Sequence, residues 1–394
     1  MHVLVTHPIG RLALIATLAA LAFVRSSGAV ILYATGDPAA NTTAPGGALT
    51  NSGWQYQGDF GGFLGTPIAP QFFITAKHIG QAGGVFTFEG IDYTLVRQFP
   101  DPQSDLAIWQ VNGVFPTIAP LYARLDEVGK QLVVIGRGTE RGGEIYRDNT
   151  LRGWGWGAGT AVRRWGENVV AGVFTNTNPS DPLLAASFDA NGIANEAHLS
   201  GGDSGGAVFL RDGTAWKLAG INFAVDPPVF SDPTAESGVT AAFFDVRGYY
   251  RRDAQGNFTV ITSPQPVPRS FYATRISGKL DWIYSIIDPA GDRDGDGIPN
   301  LHEYAFRLNP ESSDVAGVPQ FNATPGAATL VYRKVTTAGD IQYAVQKSSD
   351  LVTWQPADAP EETTATDGNV ATMRVTVPTG SAEQIFLRMA VTRP

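Results

Sequence analysis

Three short segments carry residue types that could do chemistry together: Ile74-Thr75-Ala76-Lys77-His78, then Ser104-Asp105-Leu106-Ala107-Ile108-Trp109, then Leu199-Ser200-Gly201-Gly202-Asp203-Ser204-Gly205-Gly206-Ala207-Val208-Phe209. A serine hydroxyl becomes a nucleophile when a histidine takes its proton, and the histidine does so at neutral pH when a carboxylate fixes its tautomer and steadies the imidazolium. The roles fall here in the order His, Asp, Ser. Only five histidines occur in the chain: His2, His7, His78, His198 and His302. The first two sit in a leader-like segment, His302 lies in a metal-loop pattern, and His198 is six positions before Ser204 on the same approach segment. His78 is therefore the favoured general base.

These segments resemble those of the trypsin/chymotrypsin-like serine peptidases, over roughly residues 30 to 288. In that family the histidine follows an apolar strand ending in Thr-Ala, as in Phe72-Phe73-Ile74-Thr75-Ala76; the aspartate opens an apolar strand, as Asp105 does; and the serine sits in Gly-Asp-Ser-Gly-Gly. A fourth match, Tyr272 to Ile283, is similar to the strand and helix that close the family's second barrel. The resemblance implies a triad of His78, Asp105 and Ser204, and an oxyanion hole from the backbone N–H groups of Gly202 and Ser204. The glycines suit that role, because side chains would obstruct the backbone approach it needs. Asp203 would be a buried carboxylate paired with an amino group, and the new N-terminus near Val30-Ile31 is the candidate partner.

The family pattern is not followed throughout. Lys77 stands where a small apolar residue is usual, no cysteine follows His78, and only 27 positions separate His78 from Asp105, which implies trimmed loops on that side of the first barrel. The resemblance places His198 at the base of the pocket for the side chain preceding the cleaved bond, where it offers no fixed negative charge to select Arg or Lys; a packing histidine on a variable loop is the other reading. Gly220 to Ala224 resembles the strand that runs beside bound peptide, so Asn222, Phe223 and Ala224 are candidate substrate contacts through strand addition. Gly202-Asp203-Ser204-Gly205-Gly206 also satisfies the G-x-S-x-G elbow of α/β-hydrolases, but that fold places its histidine after the serine, and only His302 follows. Alternatives to a serine endopeptidase are thus an exported serine esterase and a catalytically silent binding protein that kept the fold.

Composition fits a folded, mainly β chain of two or three domains: 394 residues, 43% hydrophobic and 16% charged, with 45 glycines and 26 prolines bounding short apolar runs. Arg11 before the apolar run Leu12 to Val24, then Ser27-Gly28-Ala29, reads as a signal peptide over residues 1–29 cleaved after Ala29. No other run approaches the length of a membrane span, so the product is expected to be exported without a stable span, either secreted, periplasmic or at the cell surface. Net charge is −9, and cleavage removes Arg11 and Arg25 but no acid. That balance argues against nucleic acid or anionic lipid as partner. The absence of cysteine leaves stability to core burial and bound calcium. A monomer acting on a protein or peptide substrate is expected.

The second motif, Asp292-Arg293-Asp294-Gly295-Asp296-Gly297-Ile298-Pro299-Asn300-Leu301-His302-Glu303, matches D-x-D-x-D-G-x5-E. Ca²⁺ takes six to eight oxygens; Asp292, Asp294 and Asp296, the Ile298 carbonyl, Asn300 directly or through water, and Glu303 with both oxygens would supply them. Leu280, Ile283, Tyr284 and Ile287 have helical spacing before the loop, and a second helix is expected over 300–308. The loop resembles EF-hand, dockerin and thrombospondin-type repeats, and a single copy implies a structural clamp.

The whole is expected to be a chymotrypsin-like double β-barrel over 30–288 with an inserted hairpin at about 225–270. A helix-calcium loop-helix linker would follow over 289–310, then a β-sandwich over 311–394. Alternating runs at 329–333, 341–345, 371–377 and 384–389 are its predicted strands. Such a module resembles those that follow calcium loops in exported bacterial proteins. Trp154-Gly155-Trp156-Gly157 is either an aromatic platform for substrate or packing over a hairpin.

Overall fold

The computed structural model describes residues 29–159, 161–175, 181–380 and 384–394, and the leader reading falls outside them except for Ala29. The described chain is mainly β, with two short helices, Leu280–Ile287 (α1) and Asn300–Phe306 (α2). Among the described residues no helix is long and apolar enough to cross a membrane.

The first body is a closed barrel ordered Gly58–Phe60, Phe63–Ala69, Phe72–Ala76, Leu106–Asn112, Ile91–Pro100 and Val85–Phe88, closing on the first strand. Its hairpins turn where the sequence allows a positive φ, as at Glu89 (50°) and Gly90 (77°). Aromatic rings fill it: Phe60, Phe73, Phe86, Phe88, Trp109 and Phe115 form one buried cluster, with Phe73 and Phe86 stacked at 3.9 Å.

The second body is built on one seven-stranded sheet. Seven strands lie in the order Arg164–Val169, Gln131–Gly136, Ala207–Asp212, Ala215–Val225, Ser270–Arg275, Pro182–Ser187 and Gly172–Thr175. The two outermost strands are successive stretches of one segment, parted only by Val170 and Ala171; the Val170 N–H donates to the Lys130 carbonyl on one side and the Ala171 N–H to the Ala185 carbonyl on the other, so the strand order returns on itself. Apolar side chains on alternate positions, among them Val134, Val208, Leu210, Ala219 and Phe271, bury its inner face.

Beside this sheet, Thr139–Arg147 and Thr150–Gly159 form a hairpin whose turn residues Asp148 and Asn149 both take positive φ, and Ala242–Phe243 adds a third strand. The segment after Val225 has a small core of its own, built on Val229, Phe243, Val246, Tyr249 and Ile261, and carries the hairpin Tyr250–Arg252 with Phe258–Val260. Beyond α2, strands form sheets of four and three. Their inner residues, including Leu330, Tyr332, Val375, Val345 and Met389, belong to a cluster continuous with Ile283, Tyr304 and the barrel's Ile74.

Candidate active site

The strand Phe72–Ala76 pairs with Leu106–Asn112 in a register that sets Ala76 against Leu106. The residues just past those strand ends, His78 and Asp105, are therefore neighbours. His78 sits in a single 3₁₀ turn, Lys77–Ile79, which the Asp105 carbonyl anchors by accepting the Lys77 N–H at 2.7 Å. Asp105 grips the histidine twice: Oδ1 accepts the His78 backbone N–H at 2.9 Å, and Oδ2 lies 2.6 Å from Nδ1. The other ring nitrogen, Nε2, lies 2.8 Å from Ser204 Oγ. Asp105 is the more shielded partner, with a side chain 11% exposed against 41% for His78. With Nδ1–H donated to the carboxylate, Nε2 presents its lone pair to the hydroxyl, which is the tautomer a general base needs.

Ser204 arrives from the other body, and glycine permits the approach. Gly205 has φ of 75°, and a Cβ on it would come within 2.3 Å of Thr75 Oγ1 and 2.5 Å of the Leu64 carbonyl oxygen. The loop before it is organised around Asp203, which is 1% exposed. Its carboxylate accepts the N–H groups of Ser200 and Gly138, each at 2.7 Å, and the Ser200 hydroxyl at 2.9 Å. It also accepts the Val30 N–H at 3.2 and 3.3 Å. Burial outweighs these donors and pushes the Asp203 carboxyl up to about 6. Val30 is itself buried and has φ of 50°, a conformation a β-branched residue rarely takes.

The Asp203, Gly205 and Gly206 amides donate to the Ser200, Asn222 and Asp203 carbonyls. The Gly202 and Ser204 amides have no protein acceptor among the described residues, and Gly202 has φ of 95°.

A cavity of about 200 Å³ adjoins Ser204, lined by Trp156, Leu199 to Ser204, and Asn222 to Val225. Larger hollows, of about 600 and 720 Å³, lie away from the triad and contain none of its residues. Phe223 meets the His78 ring edge-on at 6.0 Å. Asn222 is fully buried, and its side-chain amide donates to the Ile135 and Asp203 carbonyls at 2.9 and 3.1 Å, so it braces the loop. His198 does not line the cavity. It is fully buried, edge-on to Phe188 and Phe271, with Nδ1 2.7 Å from the Leu199 carbonyl oxygen; burial pulls its imidazole down to about 4. The packing reading of His198 is the one this geometry matches. The tryptophans divide: Trp154 is buried under Arg141, 3.8 Å from its ring centre, whereas Trp156 faces the cavity.

Support for this centre comes from contacts that sequence reasoning does not reach. Lys77 donates from Nζ to the Asp101 carbonyl at 2.6 Å, and the Asp101 carboxylate pairs with buried Lys279 at 2.9 Å. That pair ties the turn before Asp105 to the start of α1.

The acidic loop lies outside the triad. Asp292, Asp294 and Asp296 bring carboxylate oxygens within 4.8 Å of one another, and Asp292 accepts the N–H groups of Gly295, Asp296 and Gly297. The exit helix is shorter than expected, because Arg307 takes a left-handed conformation (φ 55°) and ends it. Glu303 fits a cation ligand: it is fully buried and neither carboxylate oxygen has a partner. Burial first, then the charges of Asp294, Asp296, Asp314 and Asp292, push its carboxyl up to about 8. Asn300 donates to the Asp288 carbonyl at 2.8 Å and leaves its buried Oδ1 unpartnered. This all-oxygen donor set is suited to a hard divalent cation.

No family model matches the chain, and no curated protein matches it. Among solved structures it is similar to neuropsin, a serine protease expressed in the limbic system of mouse brain, at a TM-score of 0.35 and 13% identity, over 60% of this chain and 96% of that one.

Proposed function

We propose that this chain is an exported serine endopeptidase with a chymotrypsin-like catalytic body, acting through His78, Asp105 and Ser204. The observation that carries the reading is the continuous relay from Asp105 Oδ2 to His78 Nδ1, at 2.6 Å, and from His78 Nε2 to Ser204 Oγ, at 2.8 Å. Ser204 Oγ attacks the scissile carbonyl carbon as its proton passes to His78 Nε2, and Asp105 steadies the imidazolium. The oxyanion is met by the Gly202 and Ser204 N–H groups, each such donor being worth roughly 10²–10³ in rate. His78 then gives the proton to the leaving amine, and water, deprotonated by the same nitrogen, releases the acyl group from Ser204.

The cavity beside Ser204 supports an uncharged apolar side chain before the cleaved bond. Its one ionisable lining residue, Asp203, turns its carboxylate to buried N–H and O–H donors. Phe223 and Ala224 would flank the peptide along their strand. Calcium, held by Asp292, Asp294, Asp296, the Ile298 carbonyl, Asn300 and Glu303, would neutralise the buried acid and hold the junction after α1, taking no part in bond cleavage.

The test is hydrolysis of casein and of peptide substrates varied at the position before the cleaved bond, by the chain beginning at Val30 and by its Ser204→Ala form. Cleavage after Leu or Phe, weak cleavage after Arg or Asp, and loss of all of it in Ser204→Ala is the expected pattern. Hydrolysis that survives in Ser204→Ala would remove the reading.

A further inference from the structure

Five buried oxygens without a partner among the described residues gather on one stretch of chain: Asp294 Oδ2, Asn300 Oδ1, both carboxylate oxygens of Glu303, and Asp314 Oδ1. Four belong to the loop and its exit helix. The fifth does not. Asp314 lies eight residues beyond the end of α2, at the entry to the 3₁₀ turn Val315–Gly317 that leads into the C-terminal sheets. A buried carboxylate oxygen left unpaired costs free energy of the order of kcal/mol, so such an atom calls for a ligand.

The surroundings fix how Asp314 is presented. Its Oδ2 accepts the Asn309 N–H at 3.1 Å, which folds residues 309–314 into a compact bend. Its own N–H donates to Asp296 Oδ2 at 3.3 Å, which lays that bend directly on the acidic loop. With one oxygen engaged locally and its backbone bonded to a loop aspartate, Oδ1 is left buried and unpartnered where the bend meets the acidic loop. Among the described residues no cationic side chain is hydrogen-bonded to it. The nearby Glu311 is occupied otherwise, paired with Arg293 at 2.5 Å.

We infer that Asp314 is a cation ligand supplied from outside the twelve-residue loop. This rests on the reading of residues 292–303 as a calcium site. The ion then ties three segments: the aspartate loop, the α2 face carrying Asn300 and Glu303, and the bend 309–314 that leads to the strand Gln320–Thr324. The loop alone would serve any flanking helix pair; with Asp314 the same ion fastens the C-terminal sheets to α2.

The experiment uses the whole chain from Val30 carrying Ser204→Ala, so that self-digestion does not interfere. Tb³⁺, excited through Tyr284, whose ring lies under Arg293 of the loop, reports binding, and its luminescence lifetimes in H₂O and D₂O count bound waters; Ca²⁺ competition gives the calcium affinity. Asp314→Ala is expected to weaken Ca²⁺ at least tenfold and to add about one bound water, as direct ligation requires, since even outer partners of ligands are worth about 10–100-fold. Asp314→Asn, the same shape with a neutral oxygen, should fall between, and Glu311→Gln should stay within twofold of the parent. If the parent binds but both Asp314 variants match it in affinity and water count, the Asp314 assignment is wrong while the loop stands. If the parent binds neither ion, the calcium reading itself fails.

Discussion

Cutting the chain between Ala29 and Val30 should change its stability, because Asp203 sits at 3.2 and 3.3 Å from the Val30 nitrogen and both residues are buried. In the uncut chain that nitrogen is a neutral amide, and burial holds the Asp203 carboxyl at about 6 against an ordinary value near 3.8. A folded-state value raised above the unfolded one means the native state binds the proton more tightly. The stabilisation is therefore complete below the unfolded value and is lost as pH climbs through 6. Two pH units at 1.36 kcal/mol each make the ionised carboxylate cost about 3 kcal/mol near pH 7.5. Cleavage replaces the amide with an ammonium, which pairs with the ionised acid and removes that cost. It also abolishes the φ of 50° at Val30, a strain of about 1–2 kcal/mol, since a first residue has no preceding carbonyl to define it. The Ser204→Ala chain beginning at Val30 should therefore exceed the one beginning at Gly28 by about 3–5 kcal/mol at pH 7.5 in urea unfolding. The gap should narrow to about 2–3 kcal/mol at pH 4.5, where the uncut chain keeps its proton and about 1 kcal/mol of the proton-linked cost remains. Equal stability at pH 7.5, or a gap that ignores pH, would refute the pairing.

Two further substitutions test the scaffold. Gly205→Ala places a Cβ 2.3 Å from Thr75 Oγ1 and 2.5 Å from a backbone oxygen at a φ of 75°, so it should push Ser204 away from His78 and lower kcat/KM by about 10² or more, as a displacement of about 1 Å does; activity within threefold of the parent, measured on a peptide substrate, would show that the loop yields. Lys279→Met leaves the Asp101 carboxylate buried without its cation, and thermal unfolding should register a loss of about 3–5 kcal/mol, against less than about 1 kcal/mol for Lys334→Met at a half-exposed pair.

The parts of this centre that sequence makes legible are those whose chemistry is local. His78, Asp105 and Ser204 each stand at the end of an apolar run or within a glycine-rich turn, and the structure brings all three into one relay. The mainly β character shows in short runs bounded by Gly and Pro. In the C-terminal sheets the four strands with apolar alternation can be read, whereas Gln320–Thr324 and Glu361–Asp367 cannot. Every residue of those two is exposed, so no buried face imprints a period of two.

What remains illegible depends on partners far apart in the chain. Asp203 meets Gly138 across 65 positions, and the brace from Lys279 to Asp101 links the second body to the first. His198 shows why position alone is a poor guide to role. Six residues before Ser204 it could face a substrate, but its strand pairs with Ile31 and turns the ring between Phe188 and Phe271, where a charged imidazolium would be unsolvated. The same segment of chain that carries Val30 to Asp203 thus also seats His198 away from the cavity. Ile31 pairs with His198 while Val30 bonds to Asp203, so the first residues after Ala29 order both walls of the loop that holds Ser204.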